Sequence, residues 1–422
     1  MGMSGQESFV ESLYSTIVAQ ATSAPGSSSY TVLAWPGIPI DPQEYGNIWA
    51  TDNQTGSPEA LEAFSNLVDE ALPSMSAIYE PGATTLATVY SMILNATVPP
   101  GAAPVAKAFD DAAATFAAVV RGSLANAEAQ FHPSLPRPRH WCDPSGDALW
   151  TTVTIGQDAT SPATGAGGAV SPHPAPLPAS VRTMLVRQDL PIWRIAQPPP
   201  GTHAADLSAA LPAGTVHPSA AATMTAARVV PNVMALRQST QLLSGTLRSA
   251  APAPTISPHL ATAVRVPVRL PVSVPVHVPT PPPVQEHPLG ATQLGTSFRY
   301  LRVNIERAWL NPLLFRLAGW SLAGVPAGVI SSGSSEANTG VFPLLPIGFV
   351  AVRDVRISGT WTDADKATAK AATSGGVSAA FGPFTLAAGG SVHAGFDGSS
   401  LTIPGIQIIA WICAPTPVLP PA

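Results

Sequence analysis

Charge is what this chain of 422 residues has least of. Asp, Glu, Lys and Arg together make up 11%, against about a quarter in ordinary globular chains. A surface of solvated ion pairs is therefore excluded, and much of it must be Ala, Ser, Thr, Gly and Pro. Lysine is nearly absent, with Lys107, Lys366 and Lys370 beside seventeen arginines. The arginines are dispersed and form no basic run, so a nucleic-acid partner is not expected. There are two cysteines, Cys142 and Cys413, and neither has a C-x-x-C or His spacing around it. A zinc site is excluded on that spacing, while a disulfide between the two stays open. Long apolar runs are missing too. Leu401 to Cys413 is interrupted by Pro404, and Leu317 to Ser335 is full of Gly and Ser with Pro326 in its middle. A membrane helix needs about 20 apolar residues, so no transmembrane span is expected. The opening M-G-M-S-G-Q-E-S has neither a basic nor an apolar leader region, which points to a cytoplasmic chain or one exported by a non-classical route. No cofactor motif is present.

Proline, by contrast, is abundant at 47 residues. Four prolines, Pro267, Pro271, Pro275 and Pro279, recur every fourth residue in V-R-V-P-V-R-L-P-V-S-V-P-V-H-V-P, which runs from Val264 to Pro279. No helix survives that density of proline. In an extended chain, Val and Leu line one face and proline alternates with Arg265, Arg269, Ser273 or His277 on the other. All the missing amide donors then fall on one edge, as in an edge strand or strap. The other edge keeps its full set, so Arg265, Val266, Val268, Arg269, Val272, Val274 and Val276 are the candidate binding residues.

The few charges are segregated. Residues 1–106 hold ten acids and no Lys or Arg, whereas 181–316 hold twelve arginines against four acids. Such blocks can neutralise each other within one chain or between copies. Contact between copies would be head-to-tail, closing as a ring or running on as a filament.

The pattern predicts an α+β multidomain chain. Residues 1–136 read as an acidic helical bundle. An opening amphipathic helix carries Leu13, Tyr14 and Ile17, and a second starts at Ser57-Pro58, with a capping serine before a first-turn proline. Further helices are predicted near 83–95 and 103–131, with a turn-rich loop over 31–48. Residues 137–290 form an Arg/Pro-rich middle containing the linker 159–181, a helical stretch over 220–250 and the extended strap 264–279. From 291 to 422 the runs at 298–307, 348–361, 377–387 and 401–413 predict an antiparallel sheet or sandwich. A short helix is expected over 311–317.

Gly319-Trp320-Ser321-Leu322-Ala323-Gly324 resembles the nucleophile elbow of α/β-hydrolases. The resemblance implies Ser321 as nucleophile and His393 as base, with Asp354, Asp363 or Asp365 orienting the base. The same six residues also read as a tight glycine-flanked loop burying Trp320. Asp363 and Asp365 read as acids in the first turn of a helix rather than as metal ligands, and no metal site is expected. His132 and His140, near Trp141 and Cys142, read as a packed loop. The expectation for function is a non-catalytic structural or binding protein. It would act by self-association or by docking a partner along the free edge of the strap. A serine hydrolase and a membrane-active, toxin-like protein are the alternatives.

Overall fold

The computed structural model describes residues 11–18, 30–76, 78–79, 84–99, 101–121, 130–156, 193–196, 284–287, 289–334, 337–374, 379–386 and 394–421. The strap with its seven candidate binding residues, the linker 159–181, the helical stretch 220–250 and His393 lie outside them.

In chain order, a helix over 11–18 (α1) is followed by β1 (Tyr30–Ile40), α2 (Pro42–Tyr45), α3 (Pro58–Asp69), α4 (Leu86–Leu94) and α5 (Ala103–Phe116). Next come β2 (Val120–Arg121), β3 (Gln130–Phe131), β4 (Leu135–Arg137), β5 (Thr151–Ile155), β6 (Trp193–Ala196), β7 (Val284–His287) and β8 (Thr292–Glu306). The chain continues through β9 (Ser331–Ser332), β10 (Leu344–Thr360), α6 (Asp363–Thr373), β11 (Ala379–Phe381) and β12 (Phe384–Thr385). It ends with β13 (Gly395–Phe396), β14 (Ser400–Ile403), β15 (Ile406–Pro415) and β16 (Val418–Leu419). The fold is mixed α+β, built on a curled antiparallel sheet.

The middle of that sheet is β10. One side of it pairs with β15 and then β14, and the other side pairs with β8. The far side of β15 takes β1, and the far side of β8 takes β4 at one end and β5 at the other. Elements from the start, middle and end of the sequence thus share one sheet. Strand β15 is buried along Ile406–Cys413 and apolar there except for Gln407, close to the continuous apolar run expected of a strand covered on both faces.

On one face, Phe298, Val350, Val352, Val355, Ile357 and Ile412 meet Leu13 and Ile17 of α1, Ala369 and Ala372 of α6, and Trp193, Phe381 and Phe384. On the other, Leu301, Val303, Phe349, Ala351, Trp411 and Cys413 meet Leu61, Phe64 and Val68 of α3 with Trp141 and Trp150. Each large side chain buried this way contributes about 1.5–3 kcal/mol. Between Val352 and Val355 the parity of β10 flips, because Asp354 is a bulged residue in the left-handed region at φ 52°. The bulge lets both valines face the same core.

Local signals account for several boundaries. Ser57 caps α3 by accepting from the Ala60 N–H at 3.1 Å, with Pro58 in the first turn. Thr362 and Asp365 form a reciprocal capping box at the start of α6, so Asp365 is occupied by its own helix terminus. Two expectations need correction. The loop predicted over 31–48 contains β1. Pro36 sits at a register break between Leu33 and Ile38, Pro39 stays in register opposite Gln407, and the outer side is met by Pro383, whose carbonyl accepts from the Gly37 N–H at 2.7 Å. The helix predicted to reach 131 stops at Phe116, because Val120 pairs with Phe131 in a small ribbon.

Strands β12, β11, β6 and β7 form a second, four-stranded sheet. In it Ala196 lies opposite Val284.

Candidate functional site

A third cluster lies where α4, α5 and the loops after β8 meet. Tyr90, Phe109, Trp309, Phe315, Trp320 and Phe342 are all buried there. Within it, a 3-10 helix, Pro312–Arg316, is capped by Asn311, whose side chain accepts from the Leu313 N–H at 3.1 Å. The Asn311 N–H donates to the Tyr90 hydroxyl at 3.0 Å. Phe315 turns inward, its ring edge-on to Phe342 at 5.5 Å and to Tyr90 at 6.0 Å. That inward turn leaves Arg316, Leu317 and Ala318 along the wall of an open cleft.

The opposite wall is the ribbon of β9 and β16, with Ser331 opposite Leu419 and Ser332 opposite Val418. Its rigidity comes from one buried side chain. Asn338 Oδ1 accepts from the Ser332 hydroxyl at 3.0 Å and the Gly333 N–H at 2.9 Å, and lies 3.0 Å from the Ser331 Oγ. Its Nδ2 donates to the carbonyls of Pro343 at 3.0 Å and Thr416 at 2.9 Å. The Thr416 hydroxyl lies between the Ser331 Oγ, at 2.8 Å, and the Phe342 carbonyl. Gly333 has φ +72°, and a Cβ there would come within 2.6 Å of the Val418 backbone nitrogen. Only glycine fits that crossing.

Tyr30, at the start of β1, closes the third side. The cleft has a volume of about 690 Å³ and is walled mainly by Phe315, Leu317, Pro415, Pro417, Val418 and Pro421. Its polar groups are Arg316, the Tyr30 phenol and Thr416. Arg316 is exposed and makes no ion pair among the described residues. Burial, and then the neighbouring Cys413 thiol, push the Tyr30 phenol above its ordinary range. Leu313, 67% exposed, stands on the same 3-10 helix as Arg316. This chemistry suits holding an apolar surface with an anionic group, since no acid–base pair lines the cleft.

Of the residues suggested by the elbow-like motif, Ser321, Asp354, Asp363 and Asp365 lie within the described residues and His393 outside them. Ser321 exchanges backbone hydrogen bonds with Thr97, at 2.7 and 3.0 Å, and Leu322 and Val325 close a tight turn where an elbow would start a helix. Trp320 is buried, and its indole N–H donates to the Leu317 carbonyl at 2.9 Å. Asp354 lies on β10 beside Arg353 at 3.4 Å and Arg299 at 3.9 Å. Both arginines also grip Asp147, and Arg353 lies over the Trp150 ring at 4.7 Å. That quartet balances its own charges and fastens the 3-10 turn Pro144–Leu149 to the sheet.

Other reactive groups are sequestered. Both cysteines are free and buried, and burial pushes the Cys142 thiol up to about 12. His132 stacks on Phe116 at 4.0 Å, and burial lowers its pKa. Arg307 donates to the carbonyls of Pro346 at 2.6 Å and Val68 at 2.9 Å, and burial brings it down to about 10 despite nearby Asp69. Among the described residues no group of His, Cys, Asp or Glu is arranged to hold a metal, and no helix is long and apolar enough to cross a membrane.

Sequence reasoning missed Arg316, Tyr30, Asn338 and Thr416. The helix bearing Arg316 was legible, but nothing in S-S-G-S-S-E-A-N-T-G separates a buried Asn from the solvated residues around it. The chain matches no protein-family model, no curated protein and no solved structure.

Proposed function

We propose that this chain is a non-catalytic structural or binding protein that works by associating with itself or docking a partner. The observation that carries this reading is the cleft lined by Phe315, Arg316, Leu317, Pro417 and Val418. Its walls offer apolar contact and one cation but no nucleophile with a base. The sequence adds support through its acidic 1–106 and arginine-rich 181–316, which favour attraction between copies. In this reading the acidic 1–136, the Arg/Pro-rich 137–290 and the β-rich 291–422 divide the labour of contact while sharing one sheet through β1, β4 and β5. The strap 264–279 supplies a further docking edge.

Sedimentation velocity at low and high salt tests the proposal. The expected result is a concentration-dependent assembly that weakens with salt where charge contributes. A monomer at every salt and concentration, with no partner bound, overturns it. Labelling of Ser321 by a fluorophosphonate probe would instead favour hydrolysis.

A further inference from the structure

Asn338 is held by more than its side chain. Its backbone N–H donates to the Met75 sulfur at 3.0 Å, from a residue 263 positions away. Met75 stands in the short segment that follows α3. Before it, the Leu72 N–H donates to the Glu70 carbonyl at 2.9 Å, and beyond it the Tyr79 N–H donates to the Leu33 carbonyl of β1 at 2.6 Å. Met75 therefore links an anchored segment to the wall of the cleft. A thioether is a weak acceptor, and the contact is close for one. The other described methionine, Met92, packs against the third cluster, and its sulfur meets no donor among the described residues.

We propose that Met75 is a site of reversible oxidation, through which peroxide loosens the Asn338 wall. A sulfur lone pair attacks the O–O bond of hydrogen peroxide. One oxygen stays on sulfur as the sulfoxide, and its proton goes to the departing hydroxide, which leaves as water. The thioether that faced the Asn338 N–H becomes a polar, chiral group. Its sulfur then carries partial positive charge, and at 3.0 Å no oxygen fits between it and the nitrogen. The Asn338 side chain is fixed by its bonds to Ser332, Gly333, Pro343 and Thr416. Its N–H must lose a partner, or the network must shift with it. Met75 is half-buried, so the added polarity is set against packed structure rather than bulk water. A methionine sulfoxide reductase restores the thioether. The switch does not depend on what the cleft binds.

Peroxide treatment of the full chain, with peptide mapping by mass spectrometry, locates the added oxygen. The expected result is conversion of Met75 in the folded protein and a urea midpoint lower by roughly 0.5 M, the scale of one lost hydrogen bond. The reductase recovers the midpoint. Met75→Leu keeps the volume without the sulfur, so its midpoint ignores peroxide. Met75→Gln puts a carbonyl oxygen near the sulfoxide position and lowers the midpoint without peroxide. Met75 left unmodified in the folded chain, or converted with the midpoint unchanged, overturns the proposal. An equal peroxide-induced fall in Met75→Leu also overturns it, assigning the effect to another methionine. If the Leu variant does not fold, wild-type stability of Met75→Gln overturns it instead.

Discussion

Replacing Asn338 with Ala asks how much one buried amide holds the cleft wall in place. The side chain is 4% exposed and serves two hydrogen-bond donors, the Ser332 hydroxyl and the Gly333 N–H, and two carbonyls. At a net of about 1 kcal/mol each, the direct loss is about 4 kcal/mol. Three groups have second partners. The Pro343 carbonyl keeps the Thr416 N–H at 3.1 Å, the Thr416 carbonyl keeps the Ser331 hydroxyl at 3.2 Å, and the Gly333 N–H stays 3.3 Å from the Ser331 Oγ. These reserves bring the expected loss to about 2–3 kcal/mol, read as a lower urea midpoint by tryptophan fluorescence. A loss under about 0.5 kcal/mol refutes the claim that this network holds the wall. Asn338→Asp sharpens the test, since a carboxylate there faces two carbonyls in a buried site. Its folded pKa is raised above the unfolded value, so the variant is close to wild type in acid and loses stability as pH rises through the folded pKa.

Asp69 offers a native counterpart. Burial holds its carboxyl above the ordinary range although the Ala87 N–H donates to it at 2.7 Å. Its contribution to stability is therefore fully present below the unfolded pKa and fades as pH climbs through the raised one. Asp69→Asn keeps the acceptor and should flatten that part of a urea-midpoint profile between pH 3 and 7. Ellman's reagent should find both cysteines unreactive in the folded protein and titrate two thiols in urea, because Cys142 and Cys413 are free and buried. A native disulfide would leave none in urea without reductant.

How far the sequence could be read depended on whether its signals were local. Ser57-Pro58 and the acids after Thr362 marked helix starts, because a cap is written in three or four adjacent residues. The stretch of β10 before Arg353 and that of β15 after Gln407 were legible because strand segments covered on both faces read as apolar runs, although the predicted run 401–413 is divided between β14 and β15. Strand β1 was not, since Trp35-Pro36-Gly37-Ile38-Pro39 spells a loop until a distant strand supplies its register. The cleft was hidden for the same reason: Tyr30, Arg316, Asn338 and Thr416 meet only in three dimensions. The elbow-like hexapeptide shows the converse, a local pattern whose neighbour Thr97 turns it into a bridged loop.

The pairing of β1 with β15 sets Tyr30 opposite Cys413, almost the full length of the chain apart. At about 5–20 residues per second of synthesis, the first strand waits on the order of 20–80 s for its partner. During that time Val32, Leu33 and Trp35 have no sheet to enter. The nascent chain therefore carries this apolar segment without its sheet partner until β15 has been made.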